Sequence, residues 1–264
     1  MKALPFLKWP GGKRELAAQI AGKLGSLNGR YYEPFLGGGA VFFHIAPRLG
    51  VLADLNEELV NCYTQVRNKP REVASKLARM KNSSEGYYQV RGTSPRSEVG
   101  RAARLIYLTT LSFNGIYRQN LKGEFNVPYG QKTHLELPDY AFLKRRSELL
   151  ASAEMRAGDF EETTADATRG DVLYFDPPYT VAHNNNGFVK YNDRIFSWGD
   201  QERLAALAAK LQRRGCRVLV SNAEHQSIRR MYASFREVII KRNSVIAASP
   251  AHRGAITESL FVSS

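Results

Sequence analysis

Cysteine is scarce in this chain: 264 residues contain two, Cys62 and Cys216. They are too far apart for a Cys-x-x-Cys pair, which excludes a zinc ribbon and a disulfide framework. Both flank apolar segments and are expected to be inert core residues. Long apolar runs are lacking as well, since no stretch approaches the ~20 residues needed to span a bilayer. The opening segment has one short apolar stretch, broken by Lys8 and Pro10, too short for a secretory hydrophobic region. Repeats, low-complexity tracts and long linkers are missing too. The five histidines (His44, His134, His183, His225, His252) share no metal-ligand spacing. These absences lead to the expectation of a protein of a reducing cytoplasm, with no metal and no membrane partner.

Acidic residues are the minority charge. There are 38 Lys+Arg against 25 Asp+Glu, a formal net charge of +13. A polyanion is the partner such a balance favours, and nucleic acid is the commonest. The excess is regional. Between Arg67 and Glu124 twelve basic residues face four acids, so most of the positive charge lies in less than a quarter of the chain.

The hydrophobic pattern reads as α/β at both ends. A helical stretch over 14–24 places Leu16, Ile20 and Leu24 on one face. Tyr31 and Tyr32 lead as a strand into Gly37-Gly38-Gly39, and a helix resumes over 40–45. Val51 to Asp54 reads as a short strand ending in an acid, followed by a helix. From about residue 61 to 155 helical segments (Glu72 to Met80, Val99 to Ser112) alternate with polar, glycine-rich loops. This region carries the positive charge and reads as an inserted helical domain. Then Asp171 to Phe175 is a strand, and Asp200 is placed to cap a helix bearing Leu204, Leu207, Ala208 and Leu211, stopped by Gly215. Val218 to Ser221 is another strand, and Val238-Ile239-Ile240 with Leu260-Phe261-Val262 read as a closing pair. Alternating strands and helices predict a doubly wound, mostly parallel sheet divided by the insertion.

Two features carry chemistry. A strand, a glycine-rich turn and a helix, followed by an acid ending the next strand, make a nucleoside site. The glycines admit close backbone approach, and the acid accepts the ribose hydroxyls. Gly37 to Gly39 and Asp54 fit that pattern, although a triglycine also suits a plain tight turn. The turn is not GxGxxG, which disfavours a nicotinamide dehydrogenase. The second feature is Asp176-Pro177-Pro178-Tyr179, at the carboxyl edge of a buried strand, where open α/β sheets bind ligands. The prolines remove two N–H donors. A carboxylate beside a free carbonyl is an acceptor pair for an exocyclic amine, and the following ring can stack on the base bearing that amine.

With these residues the chain resembles the DNA adenine N6-methyltransferases of the Dam family. The matching blocks are Phe6 to Lys13, Glu33 to Gly39, Ala53-Asp54-Leu55-Asn56, Asp171 to Tyr179, and Gly123 to Gly130 in the insertion. They cover essentially the whole chain in the family's order. The resemblance implies a Rossmann-like S-adenosylmethionine-dependent methyltransferase sheet over 1–60 and 156–264, with a mainly helical DNA target-recognition domain over 61–155. By position it implies that Trp9, Lys13, Asp54 and Asp176 contact S-adenosylmethionine. Phe35, Gly37, Gly39 and the Asp159-Phe160 pair would line that cofactor. Asp176 and the Pro177 carbonyl would hold the target amine, with Tyr179 stacked on a flipped adenine. Lys8, Asn114, Ile116, Arg118, Asn126 and Pro128 would read the DNA, within GATC. The family also implies double-stranded DNA as partner and a cognate restriction endonuclease acting on the same site. Two stretches depart from the family's common form: Gln131-Lys132, and the loop from Thr180 to Asn192. The alternatives weighed against this reading are a catalytically idle DNA-binding protein on the same scaffold and an RNA adenine methyltransferase. An intact Asp176 to Tyr179 block argues against the first, since binding alone needs no such block.

Overall fold

The computed structural model describes residues 4–120, 122–180, 196–243 and 255–263. Along the chain its first elements are α1 (Ala17–Leu24), β1 (Tyr31–Glu33), α2 (Ala40–Ile45), β2 (Gly50–Asp54), α3 (Glu57–Asn68), α4 (Pro70–Leu77), α5 (Ser84–Arg91) and α6 (Glu98–Leu111). After these come α7 (Tyr140–Leu150), β3 (Ala153–Ala157), α8 (Phe160–Thr163), β4 (Val172–Phe175), α9 (Trp198–Arg213), β5 (Arg217–Ala223), α10 (Gln226–Met231), β6 (Arg236–Asn243) and β7 (Ala255–Val262). The chain divides into two units. The first comprises Met1–Gly12, Gly37–Ala46 and Asp54–Gly158, and the second Lys13–Leu36, Pro47–Ala53 and Asp159–Ser264.

In the second unit the strands follow the order β2-β1-β4-β5-β7-β6. β2, β1, β4 and β5 run parallel, while β7 is antiparallel to both β5 and β6. The expected closing pair is thus present, and the parallel character holds for the strands before it. Val172 to Phe175 is buried at every position, as a central parallel strand covered on both faces requires. Leu173 and Phe175 join Val218 and Val220 of β5, Leu204 and Leu211 of α9, and Phe261 of β7 in one apolar cluster. β1 and β4 are neighbours, with Tyr31 opposite Val172 and Tyr32 opposite Leu173. Chain connections leave β1 in opposite senses toward β2 and β4, so the carboxyl ends of β1 and β4 flank a topological switch point.

The start of α9 differs from the sequence reading in its cap. α9 is capped by Ser197, three residues before Asp200, in a reciprocal capping box. The Ser197 hydroxyl accepts the Asp200 N–H, and the Asp200 carboxylate accepts the Ser197 N–H at 2.8 Å. A hydroxyl cap with an acid three residues on satisfies two orphan donors, where Asp200 alone satisfies one.

In the first unit α3 packs on α6 and α7, and α4 packs on the same two helices. Each start has a local cause. Asn56 caps α3, Ser83 caps α5, Ser97 caps α6 and Asp139 caps α7 by accepting a backbone N–H. Pro70 occupies the first turn of α4, which begins two residues earlier than the periodicity predicts and ends at Leu77. The loop residues 181–192, including His183, and His252 lie outside the described residues.

Candidate active site

In the second unit Asp176 and Tyr179 follow β4 directly and meet two other polar side chains. Lys13 Nζ lies 2.8 Å from Asp176 Oδ1 and 3.6 Å from Glu258 Oε2. The Tyr179 hydroxyl donates to Glu258 Oε2 at 2.8 Å, and the Lys13 ammonium sits 5.0 Å from the centre of the Tyr179 ring. The Lys13 and Glu258 side chains are 8% and 3% exposed, so this is a buried charge cluster with two carboxylates on one ammonium. Burial first, then Glu258 and Asp176, push the Tyr179 phenol well above its ordinary range. The phenol therefore stays protonated and keeps its hydrogen bond. Below it Tyr174 shares a 2.9 Å hydrogen bond with Ser221, and Tyr31 donates to Glu33 at 2.8 Å. Both phenols are likewise raised, chiefly by burial. The strands thus present an acid-rich, hydrogen-bonded floor at the carboxyl ends of β1 and β4.

An aromatic group adjoins it in the same unit. The Phe35 ring centre is 5.5 Å from Phe160, 5.5 Å from Phe196 and 6.4 Å from Phe175. Asp159 caps α8 through the Glu161 N–H and pairs with Arg203 at 2.8 Å. Arg203 also covers the Phe160 ring at 4.9 Å. The structure therefore brings together Phe35, Asp159 and Phe160, as the resemblance implies, and adds Arg203.

In the first unit Asp54 is fixed by backbone donors. Its Oδ2 accepts the Gly37 N–H and its Oδ1 the Asn56 N–H, both at 3.0 Å. Burial nonetheless raises its pKa above the ordinary 3.8, against the lowering effect of those amides and that of Leu55. Gly37 and Gly39 take left-handed φ values of +47° and +64°, a conformation that favours glycine. A Cβ on Gly37 would stand 2.9 Å from the Trp9 indole, so that position needs glycine for space as well. The Gly37 carbonyl accepts the Tyr63 hydroxyl at 3.1 Å.

Also in the first unit, the described residues of 112–130 form a hairpin. Ser112 bridges to Tyr129 and Gln119 to Phe125, and the Phe113 N–H donates to the Pro128 carbonyl at 2.9 Å. Asn114 has a left-handed φ of +54° and is exposed, as are Arg118 and Pro128. Ile116 and Asn126 are half-buried. Arg118 Nε donates to Asn126 Oδ1 at 2.9 Å. That bond fixes the guanidinium plane while leaving its two terminal nitrogens as donors. Lys8 runs beneath the hairpin, where a Cβ on Gly115 would lie 2.8 Å from its chain. Lys132 donates to the Ser112 carbonyl at 2.8 Å, and burial, then Lys8, lower its pKa. All six expected readers therefore belong to one hairpin and the segment under it.

Besides Arg203 and Phe196, three residues near these groups escape the sequence reading. Glu258 left a signal, an acid two residues before the apolar run 260–262 of a strand. Tyr63 and Tyr117 left none, because a tyrosine in a helix or loop is indistinguishable in sequence from an ordinary core aromatic. Among the described residues no group of three or more His, Cys, Asp or Glu is arranged to hold a metal ion. No helix among them is long and apolar enough to cross a membrane.

Comparison with known proteins follows the same lines. The family of D12 class N6 adenine-specific DNA methyltransferases matches residues 9–246. A type II methyltransferase of Lactococcus lactis subsp. cremoris is 37% identical over 264 residues, covering 96% of this chain and 93% of that protein. A DNA adenine methylase of Vibrio cholerae serotype O1 is 32% identical over 266 residues, with 98% and 95% covered. A DNA adenine methylase of Escherichia coli strain K12 is 31% identical over 261 residues, with 97% and 93% covered. The match takes in the glycine turn, Asp54, the hairpin and the Asp176 to Tyr179 block, and the chain belongs to the D12 class of N6-adenine-specific DNA methyltransferases.

Proposed function

We propose that this methyltransferase moves a methyl group from S-adenosylmethionine to N6 of an adenine flipped out of duplex DNA, within GATC. The observation that carries the reading is the buried Asp176–Lys13–Glu258–Tyr179 cluster, in which both functional side chains of the Asp176 to Tyr179 block have fixed partners. The cofactor fits the residues present. Asp54 is a half-buried carboxylate held by amides, with lone pairs left for two ribose hydroxyls. Phe35 and Phe160 offer aromatic surface for an adenine ring, with Asp159 beside them. When bound, the cofactor supplies an electrophilic methyl group on a sulfonium.

The chain's own residues supply the rest. Asp176 and the Pro177 carbonyl accept the two N–H hydrogens of the target amine, which localises its lone pair. As nitrogen gains positive charge the Asp176 carboxylate stabilises the transition state more than the ground state. Tyr179 stacks on the extruded base and repays part of the few kcal/mol that flipping costs. Holding the amine in line is worth up to ~7–11 kcal/mol. The methylated ammonium then loses a proton to water without a dedicated base. Residues 61–155 serve as the recognition domain, with Lys8, Asn114, Ile116, Arg118, Asn126 and Pro128 as readers. The enzyme works in the cytoplasm, and a restriction endonuclease of the same site would be its cognate partner.

The test combines labelled S-adenosylmethionine with unmethylated duplex DNA, followed by digestion with enzymes sensitive to adenine methylation at GATC. Label in N6-methyladenine with protection at GATC is the expected result. Label without that protection overturns the site assignment, and an unlabelled duplex overturns the substrate.

Two further outcomes are expected. Arg118→Ala relaxes discrimination at one base pair by about 1–3 kcal/mol, read from methylation rates across single-base variants of the site. Equal weakening on every sequence identifies a phosphate contact instead. The second concerns pH. Only the Asp54 carboxylate accepts two ribose hydroxyls, and its pKa is raised. Cofactor affinity therefore falls on acidification, beginning above pH 3.8, and its advantage over Asp54→Asn shrinks over the same range. The linked stability effect has the opposite sign. With a raised folded pKa, Asp54's contribution is present below the unfolded value and lost as pH rises through the folded one. Titrations of binding and of unfolding against pH check both trends.

A further inference from the structure

The Trp9 indole lies face to face with the Tyr117 ring, centres 4.5 Å apart and planes inclined by 22°. Trp9 belongs to the segment before α1, and Tyr117 to the hairpin that carries Ile116 and Arg118. The indole also lies against Gly37, where a Cβ would come within 2.9 Å of it. The Gly37 N–H is bound to Asp54 and its carbonyl to Tyr63. Tyr117 is in turn held by the edge of Phe125, 5.8 Å away on the returning arm of the hairpin. One residue before Trp9, Lys8 packs under Gly115, which is left-handed at φ +67° and has no room for a Cβ. All of these groups lie in the first unit. A displacement of the hairpin must therefore carry the Trp9 indole with it, or break the stack.

We infer that Tyr117 is a positioning residue, which holds Trp9 against the glycine turn so that engagement of the hairpin by DNA tightens the binding of the methyl donor. The inference rests on the proposed role of Trp9 and Asp54 in donor binding. Coupling of this kind is reciprocal: if DNA raises donor affinity, donor raises DNA affinity by the same factor. Tyr117 touches no reacting atom and needs only its ring, so phenylalanine should replace it.

The experiment measures the dissociation constant of S-adenosylhomocysteine, an unreactive donor analogue, with and without a saturating duplex that the enzyme is known to methylate. Wild type, Tyr117→Phe, Tyr117→Ala and Trp9→Ala are compared. In wild type the duplex is expected to tighten the analogue by at least about fivefold. Tyr117→Ala should bring that ratio close to one, raise KM for the donor and leave kcat at saturating donor within about twofold. Tyr117→Phe should keep the wild-type ratio. In a Trp198→Phe background, where Trp9 is the sole indole, emission should change in Tyr117→Ala and not in Tyr117→Phe. A wild-type ratio near one, a Tyr117→Ala enzyme that keeps the ratio, or a Tyr117→Phe enzyme that loses it overturns the inference. Trp9→Ala separates it from the underlying reading. Unchanged analogue affinity in that variant removes Trp9 from the donor site, whereas a weakened affinity with an unaltered Tyr117→Ala ratio sinks the coupling alone.

Discussion

Replacing Asp176 by alanine is expected to lower turnover by at least ~10²–10³-fold, the loss typical of one preorganised electrostatic group. Cofactor affinity should change much less, because the side chain acts on charge that develops only during transfer. The fold should survive, since Lys13 retains Glu258 as a second carboxylate. Single-turnover rates at saturating donor and DNA, with the melting temperature as control, give the measurement. A rate within tenfold of wild type removes Asp176 from the catalytic role.

The largest stability effect is expected at Lys13. Lys13→Met leaves Asp176 and Glu258 in the same buried cluster without their shared cation. Removing one partner of a buried pair typically costs about 3–5 kcal/mol, because the remaining charge is uncompensated. For a chain of this size that corresponds to a fall in melting temperature of roughly 6–20 °C. The loss should shrink as the pH falls, since a carboxyl that takes up a proton no longer needs the ammonium. Adding Glu258→Gln to Lys13→Met should recover part of the stability, because the two changes share one network. Strict additivity of the two would show that Lys13 and Glu258 act separately.

These two predictions draw on different kinds of information. The role proposed for Asp176 draws on four consecutive residues after an apolar run, because strand, prolines, acid and ring are local features. The parallel strands and the antiparallel closing pair were legible for the same reason: short apolar runs separated by one helical period. Glu258 was not legible as the partner of Tyr179, since only the register of β7 against β5 brings the two together. The Asp200 cap was misplaced by three residues because the hydroxyl of Ser197 competes for the same donors. α5, α7 and β3 were passed over, being short and set among polar residues whose periodicity is weak. In the hairpin the reader residues came from resemblance. The Trp9–Tyr117 stack could not, because it joins segments more than a hundred residues apart in sequence.

The Asp176–Lys13–Glu258–Tyr179 charge cluster also bears on how the protein acquires activity. Its members come from the segment before α1, the turn after β4 and strand β7, so each contact closes a long loop whose entropy must be met first. Ammonium and carboxylates cannot be buried one at a time without leaving a bare charge behind. The cluster should therefore close as a single late event, once β7 has inserted between β5 and β6. A refolding chain should recover methyl transfer in its slowest kinetic phase, after most helical signal has returned. On this geometry a half-folded molecule is expected to lack a working active site.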